Sequence, residues 1–174
     1  MKSVQETVDV IVAGGGTAGH VAAIQAARAG AKTSIIEAGS MLGGTMTAGG
    51  VYMPNHFFSI DRPVVQGIAW ELYTKSKAIE GLPVPDYRKR RPLDTPGYYS
   101  YLNVPIYTAL AEKEALETGV VIHYHEFVAE RFAMPLTMLT CTAVKRGARR
   151  FSTSPVTLFR PCLSGRWFPR KALG

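Results

Sequence analysis

Gly14, Gly16 and Gly19 stand at the spacing G-x-G-x-x-G, and Glu37 follows the last of them by 18 residues. The chemistry such a set serves is recognition of a nucleotide through its phosphates and a ribose. The first glycine permits a tight turn, the second lets the backbone approach a pyrophosphate, and the third lets a helix lie close to a strand. A helix beginning near Thr17 and Ala18 presents backbone N–H groups and a partial positive charge to phosphates. The dipole contributes roughly 0.3 to 1 kcal/mol. Glu37 is spaced to accept hydrogen bonds from ribose hydroxyls, and its charge would repel a 2′-phosphate.

These residues need a strand before them, a helix between them and a second strand after them. Val8 to Val12 is a short, mostly β-branched run suited to a buried parallel strand. Ala23 and Ala27 continue from Gly19 at four-residue steps, so one helix face is small enough to pack tightly on a sheet. Gly30 is placed to end that helix as a left-handed cap, and Thr33 to Ile36 supply the next strand. The expected class is α/β, a Rossmann-like βαβ unit with a parallel sheet.

A second glycine-rich stretch, Leu42-Gly43-Gly44-Thr45-Met46-Thr47-Ala48-Gly49-Gly50, suits neither a helix interior nor a strand. Read alone, it is either a surface turn with solvated hydroxyls or a loop whose backbone approaches a ligand. From Gly14 through Gly50 the chain resembles FAD-dependent oxidoreductases of the glutathione-reductase-like superfamily, most of all the group with the fumarate-reductase-type dehydrogenases. The resemblance implies FAD as the cofactor and hydride transfer between a carbon substrate and flavin N5 as the reaction. By position, it implies Glu37 and Ala38 beside the ribose, Gly43 and Gly44 at the pyrophosphate, and Thr45, Thr47, Gly49 and Gly50 along the flavin. It also implies a backbone contact to the adenine near Val128. The first motif alone also fits an NAD-binding module or a nucleotide-binding remnant without catalysis. The resembling enzymes are several hundred residues long, so the Rossmann-like domain is expected to be incomplete. Whether this chain turns over a substrate stays open, and no catalytic acid or base is assigned.

Beyond the loop, Val65, Ile68, Ala69, Leu72 and Tyr73 form an apolar face within a helical stretch from Val64 to Ile79. Trp70 and Tyr73 read as packing residues. Gly81 to Pro96, with Pro83, Pro85, Pro92 and Pro96, is a loop enclosing the basic run Arg88 to Arg91, which reads as a solvated segment. Tyr98, Tyr99 and Tyr101 could line a pocket or cap a core. Asn103 can cap a helix to about Thr118, with Ile106, Leu110 and Leu116 on one side and Gly119 as its stop. Val120 to Val128, VVIHYHEFV, reads as one strand on which His123 and His125 share a face. No third ligand accompanies them, so no metal is expected. His20 and His56 are weak candidates for chemistry.

The composition changes at residue 131. Residues 1–130 hold 11 Lys or Arg against 13 Asp or Glu, and residues 131–174 hold nine Lys or Arg and no acid. The expected division is therefore a partial FAD-binding region over 1–130 and a basic tail over 131–174. The tail could bind a polyanion, form a short divergent domain, or lie outside the ancestral reading frame, the last being favoured. The net charge of +7 comes from it, so no nucleic-acid partner is inferred for the rest. Expected partners are a small-molecule substrate and an electron donor or acceptor. No apolar run reaches the ~18 residues of a membrane span, and MKSVQETVDV lacks the pattern of a secretory signal, so a cytoplasmic protein is expected. Cys141 and Cys162 make no disulfide framework.

Overall fold

The computed structural model describes residues 4–54, 57, 64–84, 101–133, 139–145 and 147–153. His56, the basic run Arg88 to Arg91, Tyr98, Tyr99, Cys162 and the rest of 154–174 lie outside the described residues.

The run expected as one strand from Val8 to Val12 divides at Asp9 into β1 (Val4–Val8) and β2 (Val10–Ala13). The N–H groups of Asp9 and Val10 both donate to the Lys32 carbonyl, and the Asp9 carboxylate accepts the Lys32 N–H at 2.8 Å. That clamp turns the chain from one sheet into another. β2, β3 (Thr33–Glu37) and β4 (Val121–Tyr124) form a parallel sheet in the order β2-β3-β4. β1 instead pairs in parallel with β7 (Gly147–Thr153), which continues antiparallel through β6 (Leu139–Lys145) to β5 (Phe127–Ala133). The architecture is the Rossmann-like α/β class expected from the glycine motif.

α1 (Gly19–Arg28) closes with Gly30 at φ 91°, the Ala31 N–H reaching back to the Ala26 carbonyl. That 6→1 bond is the left-handed cap its glycine foretold. α2 (Ile68–Ile79) is shorter than the stretch read from Val64 but buries the expected Ile68, Leu72 and Tyr73. Phe57, Trp70 and Tyr73 pack as a ring cluster, with Phe57 and Tyr73 stacked at 4.9 Å between centroids. α3 (Val104–Glu117) begins where Asn103 Oδ1 accepts the Ile106 N–H, and Gly119 at φ 85° ends it. Its buried face differs from the expected one. Tyr107, Ala111 and Ala115 are buried, while Leu116 is 56% exposed. α3 packs against both other helices, and alanines at every fourth position allow that approach where leucines would hold the axes apart.

The core lies between the three helices and one face of the parallel sheet, where Val10, Val12 and Ile35 meet Ala23, Ile24, Leu72 and Ala111. On β3 the neighbouring positions are buried as well. Ser34 donates to Glu6 of β1 at 3.3 Å, and His123 of β4 lies 3.2 Å from the same carboxylate. A sheet covered on both faces explains why β3 is buried from Thr33 to Ile36 without alternation.

A further expectation changes. VVIHYHEFV is two strands in two sheets, parted at His125, whose φ of 58° breaks the extended run. His123 is buried beside Glu6 and His125 is exposed in the turn, so they share no strand face. Residue 131, where the composition changes, lies within β5, and β6 and β7 follow in the same sheet. Strand pairing needs only backbone groups, so the loss of acidic residues there leaves no mark on the ladder. No described helix is long and apolar enough to cross a membrane.

Arg28 of α1 bonds Glu71 of α2 at 2.8 Å and Glu114 of α3 at 2.6 Å, and Lys75 also reaches Glu114. The hydrogen bonds from Lys75 and Arg28 hold the Glu114 carboxyl below its ordinary range. A group whose folded value is depressed stabilises the fold above its unfolded value, and that contribution is lost as pH falls through the folded one. Arg28→Ala is therefore expected to cost about 1 kcal/mol at neutral pH, because the pairs are partly exposed, and less in acid. Urea denaturation at the two pH values measures the difference.

Candidate functional site

β2 ends at Ala13, and the chain turns at Gly14 with φ 99° while its N–H donates to Ile36 O on β3. Five residues later the helix returns so closely that a Cβ on Gly19 would stand 1.9 Å from the Gly14 carbonyl oxygen. Gly16 lies between them in the opposite circumstance: a Cβ there would meet no protein atom within 4 Å. Close packing at Gly19 and open space at Gly16 are what a helix resting on a strand and a backbone facing a ligand require.

The second glycine loop lies directly against the first. Gly16 and Gly43 form a parallel bridge, the Gly43 N–H donates to Gly15 O at 2.9 Å, and Thr17 Oγ1 donates to Gly43 O at 2.9 Å. The contact is tight, since a Cβ on Gly44 would fall 2.8 Å from Gly16 Cα. Gly43 has φ 100°, and a Cβ there would meet Thr47 Cγ2 at 2.5 Å. From Gly44 to Met46 the loop makes a 3-10 turn. Thr47 is buried and donates to Leu42 O at 2.6 Å, so its hydroxyl closes the loop from within. Thr45, Gly49 and Gly50 are exposed on the loop.

Glu37, at the end of β3, accepts the Gly15 N–H on Oε2 and the Gly39 N–H on Oε1, both at 2.6 Å. Each carboxylate oxygen keeps lone-pair capacity for a hydroxyl. Ala38 is exposed beside it. The turn between β4 and β5 closes over this corner, with the His125 N–H on Gly39 O and the Glu126 N–H on Glu37 O, each at 3.1 Å. Val128 lies two residues further along, in β5.

Thus the structure joins Gly14, Gly16, Thr17, Ala18 and Gly19 with Gly43, Gly44 and Glu37 at one end of the parallel sheet, and leads Thr45 to Gly50 outward from it. No side chain caps the N-terminus of α1, and its first turn holds no acid. An uncapped helix end, open space at Gly16 and a tethered carboxylate fit a pyrophosphate flanked by a ribose.

Gly15 is a participant the sequence reading missed, and His20 one it ranked only as a weak candidate. Gly15 connects both glycine loops to Glu37, a role the run Gly14-Gly15-Gly16 could have suggested. His20 is fully buried, with Nδ1 2.8 Å from Gly16 O and Nε2 3.2 Å from Tyr107 Oη on α3. Burial lowers its pKa against the opposing effect of the Gly16 bond. Burial also pushes the Tyr107 phenol up to about 12, so both are neutral near pH 7.

Residues 9–150 match the model of a family described as FAD dependent oxidoreductase. No curated protein matches the chain. Among solved structures, a flavoprotein/dehydrogenase from Cytophaga hutchinsonii aligns with a TM-score of 0.54 at 18% identity, over 85% of this chain and 38% of that one. The myxobacterial chondrochloren halogenase, described as a variant of FAD-dependent halogenases, gives 0.54 at 13%, over 88% and 36%. The anhydrotetracycline hydroxylase of Streptomyces rimosus gives 0.55 at 17%, over 88% and 31%. At these identities the likeness is one of fold. The chain spans between 31% and 38% of the length of these three proteins.

Proposed function

The chain belongs to the FAD dependent oxidoreductase family, and from that premise we propose that it forms the pyrophosphate- and ribose-binding part of an oxidoreductase acting on a carbon substrate. The observation that carries the reading is the Gly16 to Gly43 bridge, which makes one backbone surface of two glycine loops that are far apart in sequence. Gly16 and Ala18 at the start of α1 offer backbone N–H groups to the pyrophosphate, with Thr17, Gly43 and Gly44 lining the same surface. Glu37, fixed by Gly15 and Gly39, accepts from the ribose hydroxyls, with Ala38 at its side. Thr45 to Gly50 lies along the flavin, Thr47 keeping the loop closed, and backbone near Val128 meets the adenine. The chemistry FAD supplies when bound is two-electron hydride exchange at flavin N5 with the substrate carbon. The chain's own contribution is placement: backbone donors neutralise the diphosphate and a preset carboxylate fixes the ribose. Expected partners are a small-molecule substrate and a separate electron donor or acceptor.

The test is the visible absorbance of the purified chain after FAD is added and free cofactor removed. Flavin bands near one equivalent support the reading. A colourless but folded protein overturns it, and NADH binding in that protein would select a nicotinamide-binding module instead.

A further inference from the structure

We propose that His20 is a positioning residue for the pyrophosphate: its ring fixes the Gly16–Thr17 peptide within the bridge that makes one surface of the two glycine loops. The inference rests on the FAD reading of the site and assigns a task to a buried histidine that the reading leaves without one.

The argument follows the loop's peptide groups in order. The Gly14 N–H is bonded to Ile36 O, and the Gly15 N–H to Glu37 Oε2. The protein itself thus engages the first two donors of the turn. The Gly16 N–H, the next donor, is oriented from behind, while Thr17 follows on the edge of the bridge that faces Gly43. In a trans peptide the carbonyl and the following N–H point in opposite directions, so whatever grips a carbonyl also aims the next N–H. The Gly43 N–H grips Gly15 O and so aims the Gly16 N–H. Gly16 O is gripped by the His20 ring at 2.8 Å, assisted by the His20 backbone N–H at 3.2 Å, so the Gly16–Thr17 peptide is held and Thr17 is kept against Gly43, whose carbonyl accepts its hydroxyl.

The ring can perform this task in one tautomer only. Gly16 O is solely an acceptor, so Nδ1 carries the proton, and Nε2 then accepts from the Tyr107 hydroxyl at 3.2 Å. Tyr107 crosses from α3 with its ring edge-on to the imidazole, and it holds both the tautomer and the orientation. α3 in turn follows Leu102, whose N–H bonds Tyr52 O at 2.7 Å just past the second glycine loop. The Tyr107 to His20 contact therefore ties the backbone behind the pyrophosphate to the element anchored beside the loop that runs along the flavin.

Three variants of the full chain test this, each measured for FAD affinity by quenching of flavin fluorescence and for thermal midpoint without FAD. His20→Leu keeps an apolar filler and removes the donor; FAD affinity is expected to fall about tenfold. His20→Asn retains an amide N–H near the Nδ1 position and is expected to stay within about threefold of wild type, although it loses Tyr107. Tyr107→Phe, which frees the tautomer, is expected to fall between them. All three lower the thermal midpoint, because each breaks a buried pair. A residue that only packs the core would make affinity follow the thermal midpoint, with His20→Asn as weak as His20→Leu. That pattern, or wild-type affinity in folded His20→Leu, overturns the proposal. A wild-type chain that takes up no FAD overturns the site reading and this inference together, whereas unaffected variants of an FAD-binding wild type overturn this inference alone.

Discussion

Gly16→Val is expected to leave the chain folded and to weaken FAD binding by at least about a hundredfold, roughly 2.7 kcal/mol or more. A Cβ at Gly16 meets no protein atom within 4 Å, and Gly16 is outside the left-handed backbone region that would exclude a β-branched residue. The new methyl groups therefore enter the space beside the bridge to Gly43, where the proposed pyrophosphate must approach. Stability should change by less than about 1 kcal/mol, as for an exposed substitution away from packing. Flavin absorbance retained after gel filtration, with urea denaturation of the same protein without FAD, separates the two effects. A folded Gly16→Val chain that keeps wild-type affinity would show that the glycine loops do not enclose the phosphates.

The βαβ unit was legible because its constraints act through missing side chains. Gly14 at φ 99°, Gly19 against a carbonyl and Gly30 at the helix end each leave a glycine at a fixed place in the sequence. Asn103 and Gly119 mark α3 in the same local way. Elements set by distant partners left no such mark. The break at Asp9 depends on Lys32, which residue 9 meets only after the first crossover. The buried face of α3 depends on how near α1 and α2 come, so Ala111 and Ala115 outrank Leu116 despite being less apolar. His125 turns the chain through a positive φ at a residue type that gives little warning of it. The division of Glu37 between Gly15 and Gly39 concerns two backbone N–H groups, which no residue type announces. Likewise His20 looked like a stray histidine because its partner Tyr107 is 87 residues away.

Gly19→Ala is expected to do the reverse of Gly16→Val and remove the fold itself, at a cost of about 3 kcal/mol or more. Gly19 is the first residue of α1, and alanine is the better helix former, so propensity alone predicts no loss. Here the added methyl would lie 1.9 Å from Gly14 O, 3.0 Å from Gly14 C and 3.4 Å from Val12 Cγ1. Two of those three atoms belong to the backbone of a turn already bonded to Ile36, so no rotamer change relieves the contact. Relief requires α1 to lift from β2, which would separate Ala23 and Ile24 from Val10, Val12 and Ile35 and open the core. Urea denaturation without FAD measures the loss, and excess cofactor should recover part of it if the lifted helix still binds. An alanine variant as stable as wild type would mean that α1 does not rest on the Gly14 turn. The helix N-terminus would then stand too far from β2 to share a phosphate with Gly43 and Gly44.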